Sequence, residues 1–362
     1  MTPSIGVMSN WSETITPRSG EEIAVGALEP YLRRQLEEGD GTFALRQFPG
    51  GRANLTYLVK FGASEYVLRR PPNGPLAQGS HDMAREHRVL SGLVDVFPLA
   101  PRSYLFCDDL SIIGAPFHVM ERKHGVVIRE QLPQEYCNNP SLAMKLGLRV
   151  VDALAALHAV KPEDARLERL GEPQRYLERQ LAGWIKRWNV AREQDDPIVN
   201  KVIAQLSRRL PVSQGTALVH NDYKLDNLIF SKNEKADIVA ILDWDMCTRG
   251  DPLTDLGTLL AYWVEPADRP EWIGAAMTPT WQPGFPGRAD LVHRYCSVCP
   301  TDAANIGWYH LFAVFKLIVI TQQLHIRYVH GYSPDTRYAG LSGLIKALAG
   351  RADAVMAGEC GP

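Results

Sequence analysis

Apolar positions along the chain follow two regimes. Between residues 44 and 69 they come in short runs, 44–48, 55–61 and 66–69, rich in Leu, Val, Tyr and Phe. Pro49-Gly50-Gly51 and Gly62-Ala63-Ser64 break these runs. Short β-prone segments with tight connections predict strands of an antiparallel sheet. Two more strands are predicted at 104–107 and 117–120. A helix over 28–36 precedes the sheet, with Pro30 in its first turn, where a missing N–H costs little. A second helix is predicted over 80–94, where Met83, His87, Leu90 and Val94 recur at helical spacing.

Beyond Glu121 the period lengthens. Leu146, Val150, Leu154 and Leu157 place one apolar face on a helix over 141–160. Segments 174–192, 198–210, 308–329 and the C-terminal region also read as helical, and two short apolar strands, 217–219 and 238–242, interrupt them. The pattern predicts an α+β protein: a small antiparallel β-rich N-lobe, a hinge near 120–123 and a larger, mostly helical C-lobe. The expected division is a loose leader over 1–20, an N-lobe over 21–121 and a C-lobe over 122–362. A chain of 362 residues is too long for one ordinary core, in keeping with two lobes.

Composition narrows the classes. Lys and Arg number 39 against 41 Asp and Glu, a net charge of -2, which leaves no basic footprint for nucleic acid or an anionic membrane. The longest apolar stretch, 311–320, is interrupted by Lys316 and falls short of the roughly 18 residues that a membrane span needs. Residues 1–20 lack the apolar centre of a signal peptide. A cytoplasmic chain with free thiols is expected from six scattered cysteines. His293, Cys296 and Cys299 share a spacing of three, but a structural zinc site needs four ligands and no second pair follows. Cys296 and Cys299 are therefore expected as buried thiols. Nothing in the pattern reports an oligomeric state.

The richest segment is His220-Asn221-Asp222-Tyr223-Lys224-Leu225-Asp226-Asn227, between the two short strands, with Asp243 sixteen residues beyond Asn227. Phosphoryl transfer needs a carboxylate for the attacking hydroxyl, oxygen ligands for Mg²⁺ and fixed positive charge at the phosphates. Asp222 suits the first role, and Asn227 with Asp243 the second. Lys224 could steady the γ-phosphate or be an ordinary surface cation. His220 reads as a brace for the loop.

His-x-Asp-x-x-x-x-Asn, an apolar strand, Asp-Trp, and then Gly250-Asp251-Pro252-Leu253-Thr254-Asp255-Leu256-Gly257 resemble the aminoglycoside-phosphotransferase-like family, distant relatives of protein kinases. The resemblance covers most of the chain and implies a protein-kinase-like two-lobed fold, with ATP, or GTP in its place, and Mg²⁺. It implies that Asp255 braces the catalytic loop and that Gly50, Gly51 and Asn54 belong to a phosphate-covering loop. Arg69 stands where kinases carry a phosphate-binding Lys and keeps the charge with a bidentate fork. Glu86 is its implied ion-pair partner, and Met120, Glu121 and Arg122 form the hinge that meets the base.

Residues 258–332 should set the acceptor. They hold five acidic residues and five basic ones, a balance that does not favour a polycationic aminoglycoside. Trp272, Trp281 and Phe285 fall in a Pro- and Gly-rich stretch where binding residues often sit, whereas Phe312 and Phe315 read as core. The stretch 280–288 with Trp308-Tyr309 resembles the kinase-like domains fused to acyl-CoA dehydrogenases. That implies a small-molecule hydroxyl acceptor of hydroxyacyl type, including a CoA thioester. An antibiotic kinase and a nucleotide-binding pseudokinase are the rivals.

Overall fold

The computed structural model describes residues 13–37, 41–49, 54–73, 82–276, 278–331 and 338–361. The chain divides into two compact units. One comprises the chain up to Lys123 together with Asp243–Cys247; the other comprises His124–Leu242 and everything after Thr248.

The smaller unit is built on a five-stranded sheet. Its strands are β1 (Phe43–Gln47), β2 (Leu55–Phe61), β3 (Ser64–Arg70), β4 (Ser103–Cys107) and β5 (Phe117–Glu121), in the order β1-β2-β3-β5-β4. Every pairing is antiparallel, and the register sets Arg69 opposite Thr56 on one side and His118 on the other. Helices α1 (Val25–Gln35) and α2 (Met83–Leu93) and the single turn α3 (Leu110–Ile113) complete it. The core gathers Leu28 and Leu32 of α1 with Tyr57, Val59, Leu68, Phe117 and Val119 of the sheet. Asp82 caps α2 by accepting the Arg85 N–H at 2.9 Å, and the helix buries Met83, Glu86, Val89, Leu90 and Leu93.

Two expectations change here. Helix α1 starts at Val25, so Pro30 lies inside it rather than in its first turn. Pro30 is on the exposed side, where water can satisfy the carbonyl left without its N–H partner. Residues 13–20 are not a loose leader: Ile15 exchanges backbone hydrogen bonds with Gln47 at 2.8 and 2.9 Å, and the Arg18 N–H donates to the Gln47 side chain. An unpaired edge of β1 invites such a cover.

The larger unit is mostly helical. Helices α4 (Pro140–His158), α5 (Tyr176–Ala191) and α6 (Pro197–Arg208) come first; α7 (Leu253–Tyr262), α8 (Pro270–Ala275), α9 (Arg288–Val298), α10 (Ile306–Val329) and α11 (Leu341–Ala357) follow the loop region. Short strands lie between them. β6 (Val126–Val127), β8 (Leu228–Phe230) and β9 (Ile238–Ile241) form one antiparallel set, and β7 (Ala217–Val219) pairs with β10 (Thr248–Gly250). Helix α10 is the central post, packed on α5, α6, α7 and α11. Among the described residues no helix is long and apolar enough to cross a membrane.

Helix α7 lies close to α10 because residue 257 has no side chain. A methyl group at Gly257 would meet the Tyr309 backbone C and O at 2.6 Å. Gly257→Ala should therefore destabilise the protein by roughly 1–3 kcal/mol through overpacking, read as a lower midpoint in thermal unfolding. Gly343→Ala on α11, where a methyl group meets open space, should leave the midpoint unchanged or raised.

Candidate active site

In the larger unit, β7 delivers the chain into His220, and the loop ends in a 3-10 turn, Leu225–Asn227, before β8. The loop is held from below by Asp255 of α7. This carboxylate is fully buried and accepts the His220 N–H at 2.6 Å, the Asn221 N–H at 2.7 Å and a hydrogen bond with His158 Nε2 at 3.2 Å. Burial alone would raise its pKa; the His158 hydrogen bond, with the charges of His158 and His220, wins and holds Asp255 below the ordinary range. Asn221 adopts a left-handed φ of 67°, uncommon for a residue with a side chain, and its Oδ1 accepts from Tyr176 at 2.8 Å.

His220 is committed on both ring nitrogens. Nδ1 accepts the Asp222 N–H at 3.3 Å, so Nε2 carries the proton and donates to the Leu242 carbonyl at 2.9 Å. Its place in the loop is that of a brace. Tyr223 anchors the next position by donating to the Val150 carbonyl at 2.7 Å.

Asp222 keeps a half-buried carboxylate. Its Oδ2 lies 3.0 Å from Lys224 Nζ and accepts from Asn227 Nδ2 at 3.0 Å. The same Asn227 nitrogen donates to the Asp222 carbonyl at 2.9 Å, which turns Asn227 Oδ1 away, an acceptor without a hydrogen bond among the described residues. Lys224 Nζ also lies 5.1 Å from the Tyr262 ring centroid. Burial works against the Lys224 charge, but Asp222 dominates and raises its pKa well above the usual value.

In the smaller unit, Arg69 is the hub. Its Nη1 donates to Glu86 Oε1 and its Nη2 to Asp243 Oδ1, the latter at 2.7 Å. Glu86 is completely buried, and its Oε1 also receives the Trp244 N–H at 3.4 Å. Burial opposes the Arg69 charge; Asp243, Glu86 and Asp245 outweigh it and hold the guanidinium protonated. Asp243 takes a left-handed φ of 72°. Asn54 donates to Asp245 Oδ2 at 3.1 Å. Asp245 is pushed up to about 7 by burial and the neighbouring Asp243 charge, which Arg69 offsets only in part.

Of the residues expected at the hinge, Met120 pairs with Val67 and Glu121 with Tyr66 in the sheet. The Glu121 N–H is spent on the Arg102 carbonyl at 2.8 Å, and the Arg122 guanidinium lies over the Phe48 ring at 4.8 Å. Gly50 and Gly51 lie outside the described residues. Cys296 and Cys299, expected as buried thiols, are half-buried, because they fall at the solvent-facing end of α9. Trp272 is buried beneath Arg351, while Trp281 is exposed. A cavity of about 540 Å³ is lined by Trp272 with Lys346, Arg351 and Cys360, and by none of the residues expected to bind nucleotide or metal.

Three residues around the loop escaped sequence reasoning: Tyr176, Tyr262 and Lys316. Only Lys316 left a signal, as the charge that interrupts an apolar stretch. Asp255 generates a prediction. Asp255→Asn leaves one acceptor facing two backbone N–H donors, at a cost of about 3 kcal/mol. The folded pKa of Asp255 is depressed, so its contribution is complete above the ordinary aspartate value of 3.8 and is lost as pH falls through the lower folded value. Denaturant unfolding of wild type and variant should differ at pH 7, keep that difference down to the ordinary aspartate value of 3.8, and converge only as pH falls further.

The chain is similar to known proteins over most of its length. A family model described as the phosphotransferase enzyme family matches residues 44–281. Acyl-CoA dehydrogenase family member 10 of Mus musculus is 32% identical over 314 residues, 85% of this chain and 29% of that protein. Family member 11 of Pongo abelii is 30% identical over 332 residues, 89% of this chain and 42% of that protein. The chain thus spans less than half the length of these curated relatives. A candidate aminoglycoside phosphotransferase from Ralstonia eutropha, solved by crystallography, superposes with a TM-score of 0.75 at 25% identity, covering 92% of this chain and 98% of that one. The matched region carries Arg69, Glu86, Asp222, Asn227, Asp243 and Asp255, and the chain belongs to the phosphotransferase enzyme family, with its kinase-like fold.

Proposed function

We propose that this chain is a small-molecule kinase that transfers the γ-phosphoryl group of ATP to a hydroxyl group. The observation that carries the reading is the Asp222 carboxylate, held half-exposed between Lys224 and Asn227 on a loop pinned by Asp255. An acceptor hydroxyl that hydrogen-bonds to Asp222 is oriented for attack on phosphorus. As the new O–P bond forms and the bond to the β-phosphate oxygen breaks, its proton passes to Asp222.

Two side chains, one in each unit, are of the kind that Mg²⁺ takes. Asn227 offers an Oδ1 fixed in direction by the two hydrogen bonds of its own nitrogen, and Asp243 offers a carboxylate. Bound Mg²⁺ would offset the negative charge on the nucleotide phosphates. Arg69 supplies fixed positive charge for those phosphates. Glu86 keeps it aimed, at the cost of burying a carboxylate that the guanidinium balances. Lys224, now on Asp222, can pass to the γ-phosphate.

For the acceptor, the named relatives favour a hydroxyacyl compound, free or as a CoA thioester. The even charge of residues 258–332 agrees with that better than with a polycationic aminoglycoside.

ATP consumption with Mg²⁺ across hydroxyacyl-CoAs, hydroxy acids, small alcohols and aminoglycosides tests the reading. Acceptor-dependent turnover should appear, and Asp222→Ala should lower kcat by about 10²–10⁴-fold, the usual yield of a positioned acid–base group. Arg69→Ala should instead act through the nucleotide, raising its KM. Nucleotide binding without turnover on any acceptor would replace the kinase with a pseudokinase, and turnover on aminoglycosides alone would replace the acceptor class.

A further inference from the structure

Helix α10 buries an uncompensated charge beside the catalytic loop. Over residues 311–320 it is apolar except at Lys316, which is 7% exposed. The Lys316 Nζ sits 3.4 Å from the carbonyl oxygen of Asn221, the residue before Asp222, and 5.7 Å from the centroid of the Trp184 ring on α5. Among the described residues no carboxylate oxygen lies within 4 Å of it. The carboxylates whose field it feels, Asp255 and Asp222, are committed to other donors. Burial pulls the Lys316 pKa down, as expected for an ammonium without a counter-ion.

A buried ammonium that gains only one long hydrogen bond to a carbonyl and a cation–π contact is a costly arrangement. A Met or Leu would fill the same place in this apolar helix more cheaply. The second cation is Arg187 of α5, exposed, with its guanidinium 4.4 Å from the same Trp184 ring. Trp184 is buried, and its indole N–H has no partner among the described residues. Two cations on one tryptophan, one exposed and one buried next to the Asp222 loop, have no carboxylate in ion-pair contact among the described residues.

We propose that Lys316, with Arg187 and Trp184, forms an acceptor subsite beside Asp222 that takes an alcohol carrying an anionic group, a carboxylate or a phosphate. The proposal rests on the kinase reading for the transfer itself and names the substrate class of that site. Lys316, a compact point charge with three rotatable donors, holds the anionic end, which leaves the hydroxyl to Asp222. A polycationic acceptor meets like charge there and is rejected.

Binding to the full-length chain, followed by tryptophan fluorescence and calorimetry, tests this without turnover. The ligands are 4-hydroxybutyrate, its uncharged amide, a hydroxyacyl-CoA and kanamycin. The acid or the CoA ester should bind at least about tenfold more tightly than the amide, the scale of one charge-assisted hydrogen bond. Lys316→Met should bring the ratio close to one, Lys316→Arg should keep part of it, and circular dichroism checks that both variants fold. Preference for the acid identifies the carboxylate as the anion read, and preference for the CoA ester identifies the phosphates. Equal binding of acid and amide, no binding of either anion, or an equal loss for all ligands in Lys316→Met would overturn the subsite and leave Lys316 as a brace of the Asn221 carbonyl. Failure of the kinase reading appears elsewhere, as ATP consumption that no acceptor stimulates and Asp222→Ala does not change.

Discussion

Much of the larger unit is organised by one buried carboxylate. Asp255 has no access to water, and it receives the N–H groups of two consecutive loop residues. Backbone donors in a loop have no ladder to satisfy them, and a buried N–H without a partner costs as much as a lost hydrogen bond. Asp255 removes that cost and so fixes the start of the loop. The Asn221 backbone can then hold its left-handed turn, and Asp222 can point outward instead of closing a turn of its own. Helix α7 carries Asp255 to this place, and the missing side chain at Gly257 lets α7 lie against α10.

Charge is arranged with the same economy. In the larger unit Asp222 is offset by Lys224 and by the Asn227 amide; in the smaller one Arg69 is offset by Glu86 and Asp243. Each carboxylate proposed for chemistry is engaged by a cation or donor that nucleotide phosphates can compete for. A site of this kind stays stable empty, because its buried charges are paired, and is ready to exchange partners when an anionic ligand arrives. Lys316 stands apart as a buried cation in want of an anion, which is why it points to the acceptor rather than to the fold.

The strands of the smaller unit were legible because β-branched and aromatic residues alternate between strong turn signals. The same short-range logic located β7, β9 and the long helices α4 and α10. It missed α8 and α9, where Pro, Gly and aromatic residues hide the helical period, and it started α1 too late, because a proline was taken as a first-turn residue. It also took residues 13–20 as a leader, since cover for a sheet edge is a tertiary matter.

The order of the candidate residues was legible in the sequence alone: Asp222, Asn227 and Asp243 from the groups that phosphoryl transfer needs, and Arg69, Glu86 and Asp255 from the resemblance to the family. Which atoms they engage was decided only by tertiary structure. The return of Asp243–Cys247 to the unit of Arg69, the turning of Asn227 Oδ1 by the Asp222 carbonyl, and the burial of Lys316 beside the Asn221 carbonyl all join residues dozens of positions or more apart, or depend on a side-chain direction. Periodicity and composition report how a residue meets its near neighbours in the chain; long-range partners appear only once burial has forced each polar group to find one.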